Sequence, residues 1–166
     1  MEQYPATIGI QATLAPGSQP HISINSNPAD YKSGSFADSS LDPVVVCSTR
    51  YFALAKLYSA SVAFDYISPD VAQDIKMYTR GRLRYALDCI TDPASIACYY
   101  IAIGQPGGRY ICLEACLAAW RTREAVKAEF VISLEGLGMP VALEGEYRRP
   151  ASVEKRALTI RLFGQF

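Results

Sequence analysis

The chain has 166 residues, 16 Lys+Arg against 16 Asp+Glu, a formal net charge of zero, and half of its residues are hydrophobic. That composition excludes an intrinsically disordered chain, which would be poor in apolar residues and strongly charged. The balanced charge gives no electrostatic reason to expect nucleic acid or an anionic membrane as partner, and the length suits one domain better than two.

The opening Met1-Glu2-Gln3-Tyr4-Pro5 lacks the basic and apolar regions of a secretory signal. The longest apolar run, Ile96 to Ile103, falls far short of the about 20 residues that cross a bilayer, so no membrane is expected. Cys47, Cys89, Cys98, Cys112 and Cys116 are odd in number and sit in apolar stretches. They read as buried free thiols in a reducing, cytoplasmic setting. The single histidine, His21, is remote from Cys112 and Cys116 in sequence, and no second pair completes a ligand set, so no metal is expected. One histidine also disfavours a Ser–His or Cys–His hydrolase.

Residues 1–42 are punctuated by Pro5, Pro16, Gly17, Pro20, Pro28 and Gly34 and read as a chain of turns, with one short strand at His21–Ile24 and a turn at Asn27–Asp30. Residues 43–115 are better organised. Pro43-Val44-Val45-Val46-Cys47 is a β-branched run of the kind buried on both faces of a parallel sheet. Ser48 or Thr49 is placed to cap a helix through Tyr58, and Val62–Tyr66 is a second strand. Ser68-Pro69-Asp70 opens a helix carrying Val71, Ile75 and Tyr78 and stopping at Gly81. Leu83–Asp88 is a third strand, and Thr91-Asp92-Pro93 starts a helix closed by Gly104. After Pro106-Gly107-Gly108 comes a fourth strand, Arg109–Leu113. The order β-α-β-α-β-α-β predicts an α/β fold with a partial, doubly wound, Rossmann-like parallel sheet. Residues 116–166 change character: Val126–Val131 alternates like a half-exposed strand. Ser152–Phe163 has the pattern of an amphipathic helix with Val153, Ala157, Ile160 and Phe163 inward and Glu154, Lys155 and Arg156 outward.

Ligands of such sheets lie beyond the carboxyl ends of the strands. The residues there are Ser48-Thr49-Arg50-Tyr51, Tyr66, Cys89-Ile90-Thr91 and Leu113-Glu114. Hydroxyls and Arg50 suit the 2′-phosphate of NADPH, where an acid would accept the ribose of NADH. The alternative is that Ser48 or Thr49 only caps a helix and Arg50 is only a solvated first-turn residue. No Gly-x-Gly-x-x-Gly occurs in the chain, and Gly104–Gly108 stands between helix and strand, the wrong order to receive a pyrophosphate.

Four blocks, Pro43–Ser48, Val62–Tyr66, Leu83–Thr91 and Ile103–Tyr110, resemble the fungal trans-acting enoyl reductases of the zinc-free medium-chain dehydrogenase/reductase branch, and Asn27–Lys32 resembles a segment of their GroES-like domain. The resemblance implies three parts: a remnant of the GroES-like segment at 1–42, a partial nucleotide-binding domain at 43–115, and a partial return to the catalytic domain at 116–166. It implies NADPH-dependent reduction of the α,β-double bond of an acyl chain held on the carrier domain of a highly reducing polyketide synthase or polyketide synthase-peptide synthetase hybrid, by a monomer. NADPH contacts carried over by position are Ala29, Asp30, Tyr31, Lys32, Ser48, Thr49, Arg50, Tyr51, Tyr66, Leu113 and Glu114. Leu134, Glu135, Gly136, Leu137 and Gly138 would form the acyl-chain wall, and no catalytic acid or base is assigned. Against the family pattern, the chain passes over most of the GroES-like domain and the first βα unit between Phe36 and about Ser40. The C-terminal return of the catalytic domain is also missing. A sheet without its central first strand would carry an unpaired edge. A catalytically inactive remnant or partner-binding scaffold is therefore the alternative to an active reductase, with a cofactor-free reaction on a polyketide a third reading.

Overall fold

The computed structural model describes residues 9–14 and 41–163. Among these residues six strands form one sheet: β1 (Gly9–Leu14), β2 (Leu41–Cys47), β3 (Val62–Asp65), β4 (Tyr85–Asp88), β5 (Gly108–Cys112) and β6 (Val126–Phe130). Their order across the sheet is β3-β2-β1-β4-β5-β6. Four helices accompany them, α1 (Phe52–Leu57), α2 (Val71–Tyr78), α3 (Pro93–Ala102) and α4 (Val153–Phe163). The α/β, partial Rossmann-like architecture expected from the order of elements is present, and the sheet draws strands from all three stretches of the sequence. His21–Ile24 and Asn27–Asp30 lie outside the described residues.

The strand order matches that of a dinucleotide-binding sheet, with one inversion. β2 and β3 are parallel, as are β4, β5 and β6. β1 stands between the two groups and is antiparallel to both, pairing Gly9–Leu14 with Val46–Leu41 on one side and Ile10–Ala12 with Leu87–Tyr85 on the other. All strands except the central one therefore point the same way. The inner edge expected to be unpaired in a sheet lacking its first strand is instead occupied, because β1 runs along Leu41–Val46 of β2 and Tyr85–Leu87 of β4.

Alternation along β2 explains the layers. Val44 and Val46 join the larger core with Ile75 of α2, Ile96 and Tyr100 of α3, and Tyr110 of β5. Val45 and Cys47 face the other way and pack with Ala55 of α1. Helices thus cover both faces over β2 and β3, the physical reason for a continuous β-branched run there. α3 begins where the sequence predicts: Asp92 accepts from the Ser95 amide at 2.7 Å, and Ser95 Oγ accepts from the Asp92 amide at 3.1 Å. In α2 the buried face is Val71, Ala72 and Ile75, while Tyr78 is half-exposed and touches Phe64 edge-on at 6.0 Å.

The expected facing of α4 is corrected. Val153 is 79% exposed, and Leu158 and Ile160 are exposed too, whereas Lys155 turns inward to Glu135. The helix rests on the 3₁₀ turn Ser133–Leu137, where a Cβ on Gly136 would meet Thr159 Oγ1 at 2.5 Å and one on Gly138 would meet Arg156 Cβ at 2.7 Å. Glycine lets this turn approach the polar side of the helix, and a buried carboxylate supplies the ionic partner. Among the described residues no helix is long and apolar enough to cross a membrane.

Candidate functional site

β2 ends at Cys47, and Ser48 leaves it in extended conformation to begin the 3₁₀ turn Thr49–Tyr51. Ser48 occupies the cap position, but its side chain makes no capping hydrogen bond; the Tyr51 amide instead donates to the Ser48 carbonyl at 2.8 Å. Arg50 is exposed, and its guanidinium carbon lies 4.7 Å from the centre of the Tyr51 ring, a stacking distance that holds a cation at the strand end. The parallel register Cys47↔Asp65 brings the end of β3 alongside, and the Tyr66 amide donates to the Cys47 carbonyl at 3.3 Å. Ser48, Thr49, Arg50, Tyr51 and Tyr66 are thereby gathered at one corner of the sheet.

The second group sits at the ends of β5 and β6. The Leu113 amide donates to the Asp88 carbonyl at 3.2 Å, and Glu114 Oε2 accepts from the Tyr147 hydroxyl at 2.6 Å. Tyr147 meets Phe130 edge-on at 5.2 Å, and the Arg149 guanidinium carbon lies 5.0 Å from the centre of that same Phe130 ring. Arg149 then reaches Glu135 Oε1 at 3.3 Å, and Lys155 Nζ reaches it at 2.6 Å. Within the expected acyl wall, Glu135 is 5% exposed and points inward, while Leu134 and Leu137 stay exposed beside Met139, and Gly138 closes the turn at φ +74°. Glu114 and the wall are connected through this chain of contacts. Burial alone would raise the Glu135 carboxyl, but Lys155, the Ile132 amide and Arg149 outweigh it and hold the group below the usual carboxylate range.

Both groups lie on the same edge of the sheet, separated by β1 and β4, a span of about 14 Å at the usual strand spacing. Ala29, Asp30, Tyr31 and Lys32 lie outside the described residues. At the end of β4, Asp88 is buried and accepts four hydrogen bonds: from Tyr110 Oη at 2.7 Å, Ser95 Oγ at 2.6 Å, and the Ile90 and Thr91 amides at 2.9 and 3.0 Å. These bonds hold Thr91 at φ +60°, unusual for a β-branched residue. The carboxylate serves as a structural pin. Burial, then the hydrogen bond to Asp88, drives the Tyr110 phenol far above its ordinary range. Two thiols are likewise unsuited to nucleophilic work: burial first pushes Cys98 up to about 11 and Cys112 up to about 12.

The edge meets only part of what a dinucleotide requires. Hydroxyls and a cation stand ready at the β2–β3 corner. The pyrophosphate, however, is received by the turn leaving the carboxyl end of the central strand for a helix, and here that end, Leu14, pairs with Leu41 at the opposite edge. Gly107 and Gly108 lie at the opposite edge as well, where β5 begins, with Gly108 in register with Val126. The described residues therefore do not fit an intact NADPH. A groove of about 750 Å³ between Pro140–Ala142 and Arg148–Pro150 includes none of the expected cofactor residues in its lining.

Sequence reasoning missed Arg123, whose guanidinium donates to the carbonyls of Tyr100, Ile103, Gly104 and Gln105 and so closes the end of α3. It also missed Tyr147 and Arg149, which tie the two halves of the β5–β6 corner together. No local pattern marks any of the three, since each acts on residues far away in sequence.

No protein-family model matches the chain. It is similar to trans-enoyl reductase TwmE of Talaromyces wortmannii, 48% identical over 131 residues, which cover 76% of this chain and 35% of the relative. Trans-enoyl reductase mpsG of Macrophomina phaseolina is 47% identical over 118 residues, 70% of this chain and 33% of the relative. Trans-enoyl reductase ccsC of Aspergillus clavatus is 44% identical over 121 residues, 73% of this chain and 33% of the relative. The chain spans about a third of the length of these curated relatives.

Proposed function

With sequence homology to the fungal trans-enoyl reductases as the premise, we propose that the chain carries part of the nucleotide-binding sheet and of the acyl-facing turn of an NADPH-dependent enoyl reductase. The whole enzyme would serve a highly reducing polyketide synthase, or a synthase–peptide synthetase hybrid, as a cytoplasmic monomer and reduce the α,β-double bond of a carrier-bound acyl chain. In this assignment Ser48, Thr49, Arg50, Tyr51 and Tyr66 face the adenosine end of the cofactor. In the whole enzyme Ala29–Lys32 and Leu113-Glu114 would add further cofactor contacts, and Leu134–Gly138 would form the acyl wall.

The observation that carries the reading is the strand order β3-β2-β1-β4-β5-β6 with the hydroxyl-and-arginine corner at the ends of β2 and β3. The inversion of β1 argues that the 166-residue chain itself turns over little or no substrate. It supports the second reading, a catalytically inactive remnant or a partner-binding scaffold. The test is to incubate the folded chain with NADPH and an enoyl thioester and follow absorbance, beside titrations with NADPH and NADH. Preferential NADPH binding without steady oxidation is expected. Steady oxidation overturns the statement about turnover, and equal affinity for NADPH and NADH overturns the role given to Arg50.

A further inference from the structure

We infer that the inverted central strand splits the cofactor edge, so that this chain recognises the 2′-phosphoadenosine end of a nicotinamide dinucleotide and gains nothing from the pyrophosphate or the nicotinamide. The inference rests on the reductase reading of the β2–β3 corner and adds a consequence specific to this chain.

A dinucleotide crosses a sheet of this order at the carboxyl edge, where the connections of the two halves diverge. Two features make the crossing favourable: a glycine-rich turn that lets backbone approach the phosphates, and the amino end of the helix that follows. Both depend on the direction of the central strand. Here Gly9, the first residue of β1, stands opposite Val46 near the carboxyl end of β2, and Leu14, the last, stands opposite Leu41 at its amino end. The central strand therefore delivers its carboxyl end to the wrong edge. The slot is also filled: β1 is paired over six residues with β2 and over three with β4, so the ladder runs unbroken between the two halves of the sheet.

The adenosine side is independent of that strand. Ser48 and the Thr49–Tyr51 turn follow from β2, and Tyr66 is set beside them by its bond to the Cys47 carbonyl. Arg50 is held over Tyr51 and exposed. A planar guanidinium with fixed donors suits a phosphate dianion.

The test is calorimetric titration of the full, folded chain with NADPH, adenosine 2′-monophosphate and reduced nicotinamide mononucleotide, repeated on Arg50→Ala. NADPH and adenosine 2′-monophosphate are expected to bind within about threefold of each other, since each charge-assisted bond in a pyrophosphate cradle would add at least about tenfold. Reduced nicotinamide mononucleotide should not bind, and Arg50→Ala should weaken the other two about equally. NADPH binding about a hundredfold tighter than adenosine 2′-monophosphate overturns this inference while leaving the reductase reading intact. Failure of both to bind the folded chain overturns the adenosine corner, and with it the cofactor assignment of the reductase reading.

Discussion

The Tyr110 hydroxyl, on β5, donates to Asp88 Oδ2, on β4, at 2.7 Å, and both residues are buried. The bond joins two neighbouring parallel strands below the turn that leads into α3. Because the Ser95 hydroxyl and two backbone amides donate to the same carboxylate, its loss would leave the buried Thr91 amide and Tyr110 hydroxyl and the part-buried Ile90 amide without this acceptor together. Asp88→Ala is expected to cost about 3 kcal/mol, against about 1 kcal/mol for Tyr110→Phe, which leaves three donors on the carboxylate. Urea unfolding of the two variants checks this ordering; equal costs would show that Asp88 is not the hub.

Glu135 governs how α4 is held. Its two cationic partners, Arg149 and Lys155, come from beyond the 3₁₀ turn, the Lys155 amide donates to Ser152 Oγ just before the helix, and Thr159 faces the same turn at Gly136. A depressed folded-state carboxyl pKa contributes stability above the unfolded value of about 4.3 and loses it as pH falls through the lower folded value. Glu135→Gln should therefore speed amide exchange in α4 about thirtyfold at pH 7, equivalent to about 2 kcal/mol. The difference from wild type should shrink below about pH 4. A pH-independent difference would assign the effect to packing.

Two glycines with positive φ separate conformational from steric cost. Gly81 has φ +64° and open space around its position, whereas a Cβ on Gly107, at φ +85°, would sit 2.0 Å from the Ala125 carbonyl oxygen. Gly81→Ala should cost about 1 kcal/mol, from the left-handed backbone alone. Gly107→Ala should cost about 3 kcal/mol or more, because the backbone entering β6 must move. Thermal unfolding of both variants tests the pair, and similar midpoints would contradict the close approach at Gly107.

Much of the sheet was legible because its signals are local. Val44–Cys47 is apolar on both faces because helices cover both, and Thr91-Asp92-Pro93 announces the start of α3, where the structure adds a reciprocal cap between Asp92 and Ser95. β1 was not legible: Gly9–Leu14 lies in a stretch of sequence punctuated by prolines and becomes a strand by pairing with two segments distant in sequence. The facing of α4 failed for a related reason. Periodicity marks Val153 and Ile160 as apolar, but the surface offered to the helix is the glycine turn with the Glu135 carboxylate, so the polar side docks. At the candidate site, the β2–β3 corner follows directly from the strand ends. The Glu114–Tyr147 and Arg149–Glu135 contacts join segments up to 33 residues apart and carry no local pattern.

The division of the cofactor edge depends on the direction of β1, and α-proton contacts measured by nuclear magnetic resonance test that direction most directly. An antiparallel central strand places alternate residues of Gly9–Leu14 in close facing pairs with β2. It does the same on its other side, in the register Ile10↔Leu87 and Ala12↔Tyr85. Cross-strand α-proton contacts to both neighbours in those registers are the predicted result. Contacts in parallel register, or to one neighbour alone, would contradict the inverted strand and with it the division of the cofactor edge.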